Sequence, residues 1–337
     1  MEWYLKIPRL ELSHWAPSEN WERLFDRWLT YRIKGIILPF NLNQEVDKVS
    51  DTISSLSQSA KLYNIQVWLI LPVLNNPNIS DQTWHNNITH RNGKVFDFPK
   101  WFAPLCPSNI EYQEFVDEKI SKFLLNLDID LWLLDYLRFP YFWEQWGNVI
   151  EEGQFPPFCY CDLCKQSFQN EMNQSLAESV PELILRWQCL SIEKLTRRIS
   201  RTIKNAQPKL QVGMQILPLI SKRKRQLRPE WVGQHIHSLQ KHVDFFSPLL
   251  YGKLLDWTPD QILSYLVEFT STQKLPVIPS FQISSTRWDR QSNKSKISLF
   301  DFAQRIKPLG IESATLFHAK DLLNLEEIQK TLGPLGK

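Results

Sequence analysis

The stretch "QVWLILPV", residues 66–73, is apolar without a break from Val67 to Leu71 and then meets a proline. An antiparallel strand with one wet face alternates apolar and polar residues. An unbroken run this short suits a parallel strand covered on both faces. Proline can end such a strand, because the next N–H is no longer needed by the ladder. The same "ILP" recurs at 37–39 and 216–218, with "FSP" (246–248) and "VIP" (277–279) in equivalent places. Working outward, eight strands can be drawn: 3–7, 34–40, 66–73, 130–135, 210–218, 244–251, 276–281 and 313–318.

Between them lie helix-like stretches. Ser18 is the expected N-cap of "APSENWERLFDRWLTYR". Thr258 caps "TPDQILSYLVEFTS", with Pro259 at the first helical position, and Gly310 closes "SLFDFAQRIKPLG". A chain of 337 residues could hold two ordinary domains or one large one. Eight strand–helix units with no linker-like shift in composition point to a single (β/α)8 TIM barrel over residues 1–337. A doubly wound open sheet is the alternative, but no Gly-rich phosphate loop favours it. Two connections, 74–110 after strand 3 and 139–160 after strand 4, exceed what a minimal barrel needs. Loops of that length form sites or lids, and both would sit on the C-terminal face where barrel enzymes work.

Composition narrows the function. The formal net charge is +3 with 22% charged residues, so no general polyanion-binding role is implied and no nucleic-acid partner is expected. The basic run "SKRKRQLR" (221–228) reads as a solvated loop, with a phosphate or acidic-partner patch as the alternative. The N-terminus lacks a long apolar signal core and no run reaches membrane-spanning length, so the expectation is a cytoplasmic protein without a membrane partner. No nucleophile elbow, Walker loop or dinucleotide fingerprint appears, which disfavours triad hydrolases and any organic cofactor.

Three of the five cysteines lie within "FPPFCYCDLCKQSF" (155–168): Cys159, Cys161 and Cys164, spaced C-x-C-x-x-C. Cys106 lies in the other long loop. In a reducing compartment clustered thiols mean metal or redox chemistry more often than disulfides. Four thiolates from two neighbouring loops would make a closed structural Zn site stapling those loops together. Reduced structural thiols or a redox pair are the alternatives. Cys189 reads as a lone buried thiol, and His235, His237 and His242 share no helix face that would bind metal.

"LCPSN" (105–109) followed by "FCYCDLC" (158–164) resembles family-42 β-galactosidases, in which a C-P-N-like segment and a C-x-C-x-x-C segment supply four cysteines to a structural zinc. "LDYLRFP" (134–140) is similar to the D-Y-I/L-R-Y/F-P motif of glycosyl-hydrolase-like barrels related to family 10, where it ends strand 4. The resemblance covers residues 100–170 well and the rest through the rhythm of the strands. It implies a glycoside hydrolase acting on an oligosaccharide or glycoconjugate by carboxylate acid/base catalysis.

Asp135 then stands at the mouth of strand 4 among Tyr136, Phe139, Tyr141, Phe142, Trp143 and Trp146, aromatic surface suited to sugar rings. Its competing reading is a strand-end cap. Arg138 could hold it ionised through a paired hydrogen bond. A second carboxylate is needed, and where the family-42 pattern has a strand-7 glutamate this sequence has the neutral Gln282; strand 5 ends near Gln215, also neutral. Asp256, directly after strand 6 and beside Trp257, is the favoured partner. Glu144, Glu151 and Asp289 come next, and Asp81 and Asp97 last. Asn41, Asn75, Gln215, Tyr251, Lys253, Gln282 and His318 complete a mouth suited to hydroxyl-rich ligands. The neutral glutamines also fit a rival reading, a catalytically inactive carbohydrate-binding barrel.

Overall fold

The computed structural model describes residues 1–6, 21–43, 46–77, 88–125, 127–151, 159–222, 226–283 and 299–317. Eight strands close into a barrel: β1 (Glu2–Lys6), β2 (Ile33–Pro39), β3 (Gln66–Pro72), β4 (Leu131–Asp135), β5 (Gln211–Ile216), β6 (Phe245–Leu250), β7 (Ser280–Gln282) and β8 (Ser313–Phe317). Every neighbouring pair is parallel, and β1 pairs with β8 to shut the ring, Lys6 lying opposite Phe317.

The alternation of side chains along each strand separates two cores. One set points inward: Tyr4, Ile37, Trp68, Ile70, Leu131, Leu133 and Phe245 form a cluster of their own inside the barrel. Tyr4 stacks on Trp68 with ring centroids 4.0 Å apart, and Phe245 lies 5.7 Å from Trp68. The other set points outward under the helices. Trp132 of β4, for example, meets Phe40, which in turn meets Phe123 of the helix Ile110–Leu124 edge-on at 4.2 Å.

The proline rule holds for β2 and β3, which end at Pro39 and Pro72, and β5 ends two residues before Pro218. It does not hold for "FSP": Pro248 lies inside β6, beside Ile216 of β5. The expected seventh strand is also displaced. Pro276 and Pro279 each lack an N–H, so 276–279 keeps only an isolated bridge between Val277 and Phe246, and the regular ladder starts at Ser280. Thr258 caps its helix in a full capping box with Gln261, and Gly310 takes φ 75° to close the turn Lys307–Leu309. Ser18 lies outside the described residues.

Candidate active site and cysteine centre

Inward positions at the C-terminal ends of the strands carry polar groups. Asp135, the last residue of β4, is 7% exposed. Its Oδ1 accepts from the Tyr136 N–H at 2.7 Å. Gln215 of β5, with its amide nitrogen turned toward Asp135 as the surrounding donors and acceptors require, donates to Oδ1 at 2.9 Å and Oδ2 at 2.8 Å. Lys6 of β1 reaches across the barrel to place Nζ 3.6 Å from Asp135 Oδ2 and 4.8 Å from the centre of the Phe317 ring. Burial pushes the Lys6 ammonium down and Asp135 pulls it back up. Below these lies a row of hydroxyls: Ser247 to Ser280 at 3.0 Å and Ser280 to Thr315 at 2.5 Å, with the Gln215 amide 3.4 Å from Ser280.

The segment after β4 folds back over this layer. Tyr136 takes a left-handed φ of 53°, which turns the chain sharply at the barrel rim. Arg138 is 4% exposed, with its guanidinium 4.6 Å from the centre of the Tyr136 ring. Its Nε is buried without a hydrogen-bond partner. A one-turn helix, Trp143–Trp146, brings in Glu144, whose Oε2 is likewise buried and unpartnered. Burial pushes the Glu144 carboxyl up to about 7; Arg138 opposes this and the charge of Asp135 adds to it. Tyr251, stacked on Phe317 at 4.8 Å and 5.7 Å from Trp143, is raised well above 10 by burial first and then by Asp135, Tyr136 and Glu144. Asp135, Tyr136, Arg138, Glu144, Gln215 and Tyr251 thus form one electrostatic group, and Lys6 joins it.

The remaining sequence candidates make other contacts. Trp146 packs with Phe96, Phe98, Tyr141 and Phe142 in an aromatic cluster joining the two long loops. Gln282 accepts from the Leu254 N–H at 3.3 Å. Asp256 follows the short helix Gly252–Leu255 in the left-handed conformation, φ 54°. Glu151 pairs with Lys222 at the surface, Asp97 is exposed, and Asn75 accepts from the Ala103 N–H at 2.7 Å. His318, Asp81 and Asp289 lie outside the described residues. Lys6 and the serine–threonine row were missed in the sequence. A lysine two residues after an inward tyrosine in an otherwise apolar strand was the available signal.

The four cysteines meet. Cys106, Cys159, Cys161 and Cys164 are all buried, and their sulfurs lie within 4.8 Å of one another. Cys106 Sγ is 3.3 Å from Cys164 Sγ and 3.4 Å from Cys161 Sγ. A tetrahedral ion with bonds of about 2.3 Å needs sulfurs roughly 3.8 Å apart, so the donor set fits a metal of zinc's preference. The neighbouring thiols, Cys106 foremost, push the Cys161 thiol well below its ordinary range. Cys106 ends the first long loop just before the helix capped by Asn109, and Cys161 caps the helix Asp162–Met172, so the cluster joins two helix starts.

No protein-family model matches the chain, and no curated protein matches it in sequence. Solved structures do. The fold is similar to the glycoside hydrolase domain of PgaB (BpsB) from Bordetella bronchiseptica, with TM-score 0.70 and 12% identity over 100% of both chains. It is also similar to a β-galactosidase from the Antarctic haloarchaeon Halorubrum lacusprofundi, with TM-score 0.66 and 13% identity over 94% of this chain and 52% of that one. A GH42 β-galactosidase from G. stearothermophilus gives TM-score 0.65 and 13% identity over 93% and 51%. The chain spans about half the length of the β-galactosidases and the whole of the Bordetella domain. What is shared is a closed (β/α)8 barrel of the kind glycoside hydrolases use. No helix among the described residues is long and apolar enough to cross a membrane.

Proposed function

We propose that the protein is a glycoside hydrolase acting on an oligosaccharide or glycoconjugate, with Asp135 and Glu144 as its carboxylate pair. The observation that carries this is the contrast between two carboxyl groups in one buried mouth. Asp135 is met by an amide, a backbone N–H and a lysine, donors that suit a carboxylate. Glu144 has a buried, unpartnered oxygen and holds its proton to about pH 7. An acid that holds its proton beside a second carboxyl group met by donors supplies the two roles that glycoside hydrolysis needs. Glu144 protonates the glycosidic oxygen while Asp135 acts at the anomeric carbon or on the attacking water. Tyr136, Trp143 and Tyr251 offer ring faces and hydroxyls to the sugar, and Gln215 orients Asp135. Glu144 takes the role that sequence reasoning favoured for Asp256, because it shares the mouth's electrostatic group.

We further propose that Cys106, Cys159, Cys161 and Cys164 hold a structural Zn²⁺ that staples loops 74–110 and 139–160 over one barrel domain. With four protein sulfurs it would leave no open position for catalysis.

A panel of aryl glycosides and oligosaccharides, screened beside thermal-shift measurements, tests the enzymatic reading. A responsive substrate should lose turnover by at least about a hundredfold in Asp135→Asn and in Glu144→Gln, with both variants folded. The neutral Gln215 and Gln282 favour one rival, a barrel that binds sugar without cleaving it. Ligands that raise the melting temperature with no cleavage across the panel would decide for that rival.

A further inference from the structure

Arg138 is the group in the mouth that the acid/base reading leaves unused. A guanidinium is charged at every working pH, and removing it from water is costly unless a partner compensates. Arg138 is 4% exposed, yet among the described residues it makes no side-chain hydrogen bond or ion pair, and its Nε is sealed from solvent. The ring of Tyr136 gives it one face of contact, at 4.6 Å. The nearest carboxylate in sequence, Asp135, is already engaged by Lys6, Gln215 and the Tyr136 N–H. Glu144, the other acid of the mouth, is drawn toward ionisation by Arg138, but burial outweighs that pull and keeps its carboxyl up at about 7. Among the described residues, then, the Arg138 guanidinium has no hydrogen-bonded or ion-paired carboxylate, in a mouth whose other cation, Lys6, already takes Asp135.

We propose that the mouth is built for a sugar acid: the substrate carries a carboxylate, and that group pairs with the Arg138 guanidinium. The planar fork of arginine matches a carboxylate through two parallel N–H···O bonds, which the hydroxymethyl group of a neutral hexose cannot reproduce. Such a group would give the buried guanidinium its missing counter-charge and would fix the sugar ring against Tyr136 and Trp143. This inference rests on the glycosidase reading for the choice of a sugar, and on the unpartnered Arg138 beside an engaged Asp135 for the choice of an acid.

The test compares sugar pairs that differ only at C6: sodium D-glucuronate against D-glucose, and sodium D-galacturonate against D-galactose. Binding to the wild-type protein is followed by thermal shift and calorimetry at constant ionic strength. At least one acid should bind about tenfold or more tightly than its neutral twin. Arg138→Gln should abolish that preference, and Arg138→Lys should keep part of it, with circular dichroism confirming that both are folded. The wild-type comparison stands even if a variant does not fold. Equal or better binding of the neutral sugars overturns the proposal, as does a preference for acids that survives in folded Arg138→Gln, or binding of none of the four. The two readings fail separately. Cleavage of neutral glycosides with no preference for uronides removes the sugar-acid inference and leaves the hydrolase. Acids held through Arg138 with no glycoside cleaved does the reverse.

Discussion

Glu144 shows how little a residue's type says until its surroundings are known. In the sequence it is one of several acids in a long loop. In the structure its burial raises the carboxyl to about 7, and that has a consequence for stability as well as chemistry. Between about pH 4.5 and 7 the folded protein keeps a proton that the unfolded chain has released, so stability falls as pH rises through that window. Glu144→Gln removes the penalty. Its melting temperature should match wild type near pH 4 and exceed it at pH 8, by up to roughly 3 kcal/mol in stability. A wild-type advantage at pH 8 would show that the carboxyl is not strained there. Activity should fall on the alkaline side with an apparent midpoint near 7, where the acid loses its proton.

Among the elements, the two long loops depend most on a feature outside hydrogen-bonded structure. Cys106 comes from one and Cys159 from the other, and their helices start at the cluster. Cys161→Ser should lower bound zinc from about one equivalent and cost on the order of 2–4 kcal/mol, comparable to losing a covalent staple. Metal analysis and thermal melts read both quantities; a metal-free wild type with an unchanged melt in the variant would refute the zinc site. Cys159, Cys161 and Cys164 were legible because their spacing is local, whereas Cys106, 55 residues before Cys161, carried no such signal of its own. The seventh strand was not, since two prolines carry its apolar run past the place where pairing can begin. The aromatic cluster of Phe96, Phe98, Phe102, Phe142 and Trp146 was also hidden, because it unites residues from two loops whose approach no periodicity encodes.

At the scale of the whole molecule, the barrel is read from its repeating strands, and closure depends on what fills the middle. Gly213 sits where a Cβ would come 2.0 Å from the Phe245 ring, inside the barrel. Gly213→Ala should therefore cost about 1–3 kcal/mol or more by overpacking, measurable by denaturant unfolding. A neutral effect would mean that Phe245 has room to move. The polar side of the mouth was only partly legible for a related reason. Asp135 and Gln215 announce themselves at strand ends, whereas Lys6 matters only because closure brings β1 across from β4.

That last contact has a bearing on synthesis. Lys6 is made near the start of translation, Asp135 well after it, and the strand that locks β1 in place, Ser313–Phe317, far later still. A nascent chain on the ribosome can form its early βαβ units, but it holds no finished mouth until the last strand has emerged and the ring has shut. Any fragment that stops short of that strand leaves Lys6 without the ring that presents it to Asp135.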